Sequence, residues 1–245
     1  MSIAIIIPAR YGSSRYEGKP LIKINKIPLV IRVVKKCVKA IGKKNVFVAT
    51  DDKRISDVVT KYGYNFIMTS KKNLTGTDRV AEASKKIKAK IIVNVQGDEP
   101  LINPNDIIKV INFKKKRMQN IVCAYCNLKK NENENRLTIP KVVFNEKQEL
   151  MYISRSAVPI SKNNKKKINY FKQVCIYAFT KAELKKYRNF KRKSVIEKIE
   201  DIEILRFFEL NKKISMVKVS NSAIAVDEPS DKKKVERYLN AQKKN

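Results

Sequence analysis

The sequence predicts an α/β protein with a mixed, mostly parallel sheet flanked by helices. Short apolar runs alternate with helical patterns over the first half of the chain, which is typical of successive βαβ units. The 245 residues, 43% of them hydrophobic, are also enough to bury one sizeable core. No internal repeat is visible, and the Lys/Asn-rich stretches at 127–136 and 161–170 are typical of loops rather than linkers. We therefore expect residues 1–245 to form a single domain.

Five strands and four helices are predicted ahead of Pro140. The strand candidates are residues 3–7, 46–49, 65–68, 91–95 and 121–125. The helical patterns begin near Pro28, Asp52, Asp78 and Pro104. Because ligands of parallel sheets bind beyond the carboxyl ends of the strands, the loops after the first and fourth strands should share one edge.

The pattern changes after Pro140, where the strand candidates become shorter and less regular. These candidates are residues 142–144, 174–179 and 214–219, with helices near Lys181 and Val195 and a last one after Pro229. The second half is therefore predicted to be α/β with antiparallel additions.

The charge of the chain raises a rival interpretation, since 55 Lys and Arg against 23 Asp and Glu give a formal net charge of +32. Such a balance is typical of nucleic-acid-binding proteins. The lysines, however, are spread over many segments and rarely alternate with aromatic residues, as a stacking platform for single strands requires. A basic RNA-binding module is therefore the least favoured alternative, and no nucleic acid is expected as a partner. No run of 18 or more apolar residues is present, so we expect a cytoplasmic protein without membrane insertion.

Four cysteines are present, and their placement does not suggest a disulfide framework. Cys123 and Cys126 form a C-x-x-C pair, but the surrounding residues predict a strand, in which a separation of three puts the two sulfurs on opposite faces. The chain contains no histidine. A structural zinc site is therefore disfavoured.

The first predicted strand leads into a loop, residues 8–20, with the features of a polyphosphate site. Its cations are Arg10, Arg15 and Lys19. Backbone N–H groups and Arg/Lys side chains in such a loop neutralise phosphate charge together. The loop is not a P-loop, since the spacing from Gly12 to Gly18 is one residue too long and Pro20 replaces the Ser or Thr that reaches Mg²⁺. It predicts a nucleoside triphosphate site, and an ordinary βα turn with surface cations is the alternative.

Eight short segments, taken in order, carry a resemblance to a known family. They are Ile7-Pro8-Ala9-Arg10, Gly18-Lys19-Pro20-Leu21, Val48-Ala49-Thr50-Asp51-Asp52, Gly76-Thr77-Asp78-Arg79, Val95-Gln96-Gly97-Asp98-Glu99-Pro100, Ser154-Arg155, Ile176-Tyr177-Ala178 and Val226-Asp227. In this order they resemble the CMP-Kdo synthetases, which are cytidylyltransferases that activate 3-deoxy-octulosonic acid, and their sialic-acid-activating relatives. The resemblance implies a Rossmann-like nucleotide-diphospho-sugar transferase fold. It also implies a homodimer, with a dimerisation excursion around residues 140–175.

Asp98 and Asp227 are the predicted metal ligands. Each follows an apolar run, and Mg²⁺ takes one or two carboxylates together with phosphate oxygens. Taken alone, Asp98 is more typical of a turn residue than of a metal ligand. The resemblance implies that both residues hold Mg²⁺ and that Lys19 completes the catalytic set. It further implies that the anomeric hydroxyl of a 3-deoxy-ulosonic acid attacks the α-phosphorus of CTP, giving CMP-Kdo for lipopolysaccharide biosynthesis and pyrophosphate.

The remaining site residues divide between the nucleotide and the sugar. For the nucleotide, the resemblance implies Arg10, Arg15, Lys19, Thr77, Arg79 and Gln96. For the sugar, it implies Gln96, Arg155, Gln173, Tyr177 and Glu203. Simpler alternatives stay open: Thr77 or Asp78 as a helix N-cap, and Arg155 as a surface cation.

Glu203 is singled out by periodicity as well. Along residues 195–210 a helical repeat of 3.6 places this carboxylate on the apolar, inward-facing stripe, where it needs a partner or a ligand. Arg206, one turn further on, is the alternative partner in a purely structural ion pair.

Two departures from the family pattern fall in the sugar half of the site. Gln173 stands where the family usually has histidine, and Ile204 stands where it has glutamine after the buried glutamate. Kdo is the first substrate expected, with amino-Kdo or a sialic-type acid as the alternative.

Overall fold

A computed structural model of the chain describes residues 1–12, 16–162, 168–221 and 224–242. The strands are β1 (Ile3–Ala9), β2 (Lys23–Ile24), β3 (Ile27–Pro28), β4 (Val46–Thr50), β5 (Asn65–Met68), β6 (Ile91–Val95), β7 (Ile121–Asn127), β8 (Lys141–Phe144), β9 (Leu150–Ser154), β10 (Phe171–Thr180) and β11 (Ile214–Lys218). The α-helices are α1 (Leu29–Ile41), α2 (Lys53–Lys61), α3 (Gly76–Ser84), α4 (Pro104–Lys116), α5 (Lys181–Asn189), α6 (Val195–Glu200), α7 (Arg206–Glu209) and α8 (Pro229–Ala241).

Within the described residues, nine of the strands form one mixed sheet in the order β11-β7-β10-β6-β1-β4-β5, and the β8–β9 hairpin joins it through β10. Strands β6, β1, β4 and β5 run parallel to one another, and β11 runs parallel to β7. Strand β10 is antiparallel to both of its neighbours, β6 and β7. The predicted α/β fold with a mostly parallel sheet and antiparallel additions is confirmed.

Both faces of the sheet are covered, which explains why its central strands are continuous apolar runs. Ile5 and Ile7 of β1 pack into a cluster with helices α1, α2 and α4, whereas Ala4 and Ile6 pack into a second cluster on the opposite face. Strands that are buried on both faces need no alternation of polar and apolar residues.

Two predictions about helices need correction. The helix expected near Asp78 is confirmed and begins at Gly76, but neither Thr77 nor Asp78 is its N-cap: Thr75 is, and its hydroxyl accepts a hydrogen bond from the Asp78 N–H. The helix expected across residues 195–210 is interrupted: α6 ends at Glu200, and Asp201 adopts a left-handed conformation with φ of +50°. The chain resumes with a 3₁₀ turn, Glu203–Leu205, ahead of α7.

The other structural expectations have mixed outcomes. Cys123 and Cys126 lie in clusters on opposite faces of the sheet, as predicted, and both are free thiols. The loop predicted at 127–136 is confirmed beyond Asn127, while part of the one at 161–170 lies outside the described residues. Strands β8 and β9, in the segment expected to pair subunits, belong to the sheet itself. None of the helices in the described ranges is long and apolar enough to cross a membrane.

Candidate active site

A cleft of about 700 Å³ opens at the carboxyl edge of the sheet. Its lining includes most of the predicted site residues: Arg10, Lys19, Arg79, Gln96, Asp98, Arg155, Gln173, Tyr177, Glu203 and Asp227. The loops after β1 and β6 line it together because these strands are parallel neighbours. The prediction that both loops share one edge is confirmed.

Gly97 allows these two loops to come together. A Cβ atom at this position would lie 2.9 Å from the carbonyl oxygen of Pro8, closer than real Cβ atoms come. The group that approaches Gly97 is thus the neighbouring loop of the same chain. Glycine therefore serves here to bring the two sides of the cleft together.

Asp98 and Asp227 face a common cation, the ammonium group of Lys19. Its Nζ atom lies 2.7 Å from Oδ2 of Asp98 and 3.6 Å from Oδ1 of Asp227. The Val226 N–H donates to the Asp98 carbonyl oxygen at 2.9 Å, which ties the two carboxylate-bearing segments together through the backbone. This one hydrogen bond brings Asp98 and Asp227 close together, although they are 129 positions apart in the sequence.

This arrangement fits a magnesium ion. Two carboxylates already share one positive charge, and Mg²⁺ is usually held by one or two carboxylates while substrate phosphates and water supply its other ligands. Among the described residues, no cluster of three or more Asp, Glu, Cys or His side chains is available to hold a metal. The two aspartates are therefore suited to a metal that arrives with further oxygen ligands, rather than to an all-protein cage.

The loop after β1 directs Lys19 toward these carboxylates. Gly18 has a φ of +66°, and its N–H donates to the Tyr11 carbonyl oxygen at 2.9 Å, so the loop folds back on itself. A Cβ at Gly18 would also meet the Tyr11 ring at 3.2 Å. Arg10 is exposed in the cleft, and Arg15 lies outside the described residues.

Glu203 caps the N-terminus of α3. Its carboxylate accepts hydrogen bonds from the Gly76 N–H at 2.8 Å, the Thr77 N–H at 2.7 Å and the Thr77 hydroxyl at 2.6 Å. Anionic groups are favoured at this end of a helix because the first N–H groups have no partner within the helix. Burial raises the pKa of Glu203, and the hydrogen bonds from Thr77 and Gly76 oppose that rise.

Thr77 is buried beneath the cleft, and both its hydroxyl and its N–H donate to Glu203. Its direct contact with a nucleotide stays a prediction. Arg79 lines the cleft, but its guanidinium donates to the Thr69 hydroxyl at 2.6 Å and to Asp51 at 2.7 Å. Any nucleotide contact of Arg79 is therefore made by a side chain that is already held in place.

Arg206 is not the partner of Glu203. Instead, its fully buried guanidinium lies between two carboxylates, 2.7 Å from that of Glu197 and 2.9–3.1 Å from that of Asp78. The Tyr187 ring packs against it, with the Arg206 Cζ 3.9 Å from the ring centroid. The alternative of an ion pair between Glu203 and Arg206 is therefore wrong, because the guanidinium pairs with Asp78 and Glu197 while Glu203 binds the start of α3.

Among the residues predicted to bind the sugar, Gln173 and Tyr177 lie on β10, and Arg155 lies in the loop after β9. Arg155 lines the cleft, and its guanidinium donates to the backbone carbonyls of Leu137, Glu200 and Asp201. These bonds fix the orientation of the guanidinium, so Arg155 is not a freely mobile surface cation. Whether it also binds a carboxylate stays a prediction.

Gln173 and Tyr177 lie on β10, and both line the cleft. The Gln173 Nε2 lies 3.8 Å from the Cys123 sulfur, and burial raises the pKa of Tyr177 well above its ordinary value. Gln96 connects the loop after β6 to β10, since its N–H donates to the Cys175 carbonyl oxygen at 3.3 Å. Ile204, by contrast, is buried in the apolar cluster on one face of the sheet.

Glu99 is a cleft residue that the sequence analysis did not single out. It is only 4% exposed, and its Oε2 atom has no hydrogen-bond partner among the described residues, while Oε1 accepts from the Cys175 N–H at 3.2 Å. Burial, followed by the nearby charge of Asp98, raises the pKa of Glu99 to about 7. The available signal was its position directly after Asp98, at the end of a buried strand.

Comparisons with known proteins agree with this geometry. A family model described as Cytidylyltransferase matches residues 4–214. The chain is 37% identical over 244 residues to a 3-deoxy-manno-octulosonate cytidylyltransferase of Desulfosudis oleivorans, with 98% of each protein covered. It is 34% identical over 247 residues to an 8-amino-3,8-dideoxy-manno-octulosonate cytidylyltransferase of Shewanella sp. strain W3-18-1, covering 98% of this chain and 100% of that protein. A solved CMP:2-keto-3-deoxy-manno-octonic acid synthetase, complexed with CTP, is 33% identical with a TM-score of 0.90, covering 99% of this chain and 100% of the other.

Proposed function

This chain belongs to the cytidylyltransferase family, and we propose that it transfers the cytidylyl group of CTP to an eight-carbon 3-deoxy-ulosonic acid, releasing pyrophosphate. Kdo is the first substrate expected, and its product, CMP-Kdo, would serve lipopolysaccharide biosynthesis. The observation that carries the proposal is the grouping of Lys19 with Asp98 and Asp227 in a cleft that Arg155 and Glu203 also line.

The chain's own residues account for the binding of a triphosphate. Arg10 and Lys19 bring two positive charges to the β1 loop, where they would offset phosphate charge. Asp98 and Asp227 would hold Mg²⁺. When bound, that ion supplies positive charge to the reacting phosphate and makes a coordinated hydroxyl more acidic. The chain contains no histidine to act as a general base, which favours this means of activating the hydroxyl.

For the sugar, Glu203 and Arg155 are the expected contacts. Both are held in place by hydrogen bonds to the backbone, so Glu203 could accept from a sugar hydroxyl and Arg155 could donate to the sugar carboxylate with little loss of conformational entropy. In the proposed reaction, the anomeric hydroxyl attacks the α-phosphorus of CTP and pyrophosphate leaves.

Release of pyrophosphate tests the function directly. The purified protein is assayed with each of the four ribonucleoside triphosphates and with Kdo, 8-amino-3,8-dideoxy-manno-octulosonate and a sialic acid. We expect CTP and an eight-carbon acid to give the highest kcat/KM. The Asp98→Asn variant is the matched inactive control. A preference for another nucleotide, or equal use of the sialic acid, would contradict the proposal.

The amino sugar is a second candidate, and a specific observation favours it. Gln173 lines the cleft where the family usually has histidine, and the chain is 34% identical to a protein named for the 8-amino acid. Exchange of a hydrogen-bonding group is worth about 1–3 kcal/mol in discrimination between substrates. If Gln173 is responsible, Gln173→His should raise kcat/KM for Kdo relative to the amino sugar by about tenfold.

We also propose that the protein forms a homodimer through the 140–175 segment. Met151 of β9 is 62% exposed, and Ile160 beyond it is 83% exposed, although both are large and apolar. A second copy of the chain would remove these side chains from water. Sedimentation velocity should show a dimer for the wild type and a monomer for a Met151→Glu/Ile160→Glu variant. A monomeric wild type at micromolar concentration would contradict this proposal.

A further inference from the structure

The position between Asp98 and Asp227 is held by a charge of the chain itself, the Lys19 ammonium, 2.7 Å and 3.6 Å from the two carboxylates. A divalent cation bound by the same oxygens would lie next to this ammonium. We propose that Lys19 and the metal ion are alternative occupants of this position, so that Lys19 keeps metal affinity low until a nucleotide is bound. The inference rests on the proposed function, which assigns Mg²⁺ to these two aspartates.

The two carboxylates are held together without the lysine. The Val226 N–H donates to the Asp98 carbonyl oxygen at 2.9 Å, and the Asp227 N–H donates to the Asp231 carboxylate at 3.1 Å. These hydrogen bonds keep the two carboxylates close to each other when the ammonium moves away. Such a pair attracts a divalent cation strongly, because each carboxylate disfavours the charge on the other.

The lysine can leave without any change in the fold. The backbone of Lys19 is fixed by the turn at Gly18 and by its place in the 3₁₀ segment Lys19–Leu21, in which Pro20 is buried. The side chain, in contrast, has four rotatable methylene groups and lines an open cleft. Exchange of the two cations needs only a change of side-chain rotamer, and the phosphates of a bound nucleotide offer the ammonium another anionic partner.

The effect of this lysine on metal affinity distinguishes the proposal from the ordinary role of a phosphate-binding lysine. A lysine that only binds phosphate has no influence on metal binding when nucleotide is absent. A lysine that occupies the metal position weakens that binding, so its removal strengthens it. The same substitution is expected to impair turnover with CTP.

The experiment is a Mn²⁺ titration of nucleotide-free protein, in which the electron paramagnetic resonance signal of the free ion gives the dissociation constant. We expect Lys19→Met and Lys19→Gln to bind Mn²⁺ at least ten times more tightly than the wild type. Lys19→Arg keeps the positive charge and should bind as weakly as the wild type. The added substitution Asp98→Asn should abolish the gain in the Lys19→Met background.

The matched control is Lys193→Met, which removes one lysine charge from the same cleft at a residue paired with Asp201 instead. It should change the dissociation constant by less than about twofold, so that a general effect of net charge is excluded. Unchanged or weaker binding in both neutral Lys19 variants, or an equal gain in Lys193→Met, would overturn the inference. Thermal melting checks that each variant is folded. Because the titration contains no CTP and no sugar, its outcome is independent of the pyrophosphate assay that tests the proposed function.

Discussion

Replacing Arg206 with methionine should lower the free energy of unfolding by about 3–5 kcal/mol, since it breaks a buried ion cluster by removing one partner. The guanidinium makes two hydrogen bonds to Glu197, both of 2.7 Å, and two to Asp78, of 2.9 and 3.1 Å. All three side chains are almost entirely shielded from water. Without the arginine, two carboxylates remain buried with no charge to compensate them.

The expected loss of stability can be expressed as a decrease in melting temperature. For a chain of 150–250 residues, each kcal/mol lowers the melting temperature by about 2–4 °C, so the expected decrease is roughly 6–20 °C. A substitution of the exposed pair formed by Lys53 and Asp57 gives the scale for comparison. These two residues lie one helical turn apart with their charges 3.1 Å apart, and Lys53→Met should cost at most about 0.5 kcal/mol.

Urea unfolding followed by circular dichroism at pH 7 is the assay. The triple variant Arg206→Met/Asp78→Asn/Glu197→Gln should recover part of the loss, because it removes the uncompensated charges together with the arginine. If Arg206→Met costs less than about 1 kcal/mol, or no more than Lys53→Met does, the cluster does not stabilise the junction between α3 and the segment that carries Glu203.

Three further predictions concern the cleft. Asp98→Asn and Asp227→Asn should each lower kcat by at least about 100-fold, and EDTA should abolish turnover; wild-type rates in either variant would contradict the metal assignment. Burial, followed by the charge of Asp98, raises the pKa of Glu99 from 4.5 to about 7, so the neutral form stabilises the fold, and this contribution is lost as pH rises from about 4.5 through 7. In EDTA, the unfolding free energy of the wild type should therefore fall by up to about 3 kcal/mol more between pH 5 and pH 8 than that of Glu99→Gln, and parallel curves would refute this. Gly97→Ala should cost about 1–3 kcal/mol of stability and lower kcat/KM for CTP, because the added methyl group meets the Pro8 carbonyl; unchanged crystallographic loop positions and kinetics would argue against that reasoning.

The parallel half of the fold could be predicted because its signals are local. Each central strand is a continuous apolar run, and each following helix has an amphipathic pattern, so the order of elements fixed which loops meet at the carboxyl edge. The positions of Arg10 and Asp98 in one cleft follow from that rule alone. Their closeness required no knowledge of side-chain packing.

The part of the cleft formed by Glu203, Glu99 and β10 could not be predicted in the same way. The helix ends before Asp201, which adopts a left-handed conformation although it is not glycine. The apolar periodicity continues through this break, so the sequence of residues 195–210 does not reveal it. Glu203 binds the start of α3, 126 residues earlier in the chain, and its neighbour Arg206 pairs with Asp78 and Glu197, contacts that no local pattern indicates. Glu99 was overlooked because its burial depends on β10, which lies far from it in sequence.

The cleft residues of β10 do not follow the rule that places the β1 and β6 loops at the carboxyl edge of the sheet. In a parallel strand, the residues that reach the ligand edge are those that follow the strand. Strand β10 runs antiparallel to β6, with Ile176 opposite Val95, so the residues at its beginning are the ones that lie at this edge. Gln173 and Cys175 therefore come next to the loop that carries Gln96 and Asp98, although they lie in the first half of their strand. A single antiparallel strand between β6 and β7 thus brings a second set of side chains to the cleft, and a substitution at Gln173 can change this set while the β1 and β6 loops keep their geometry.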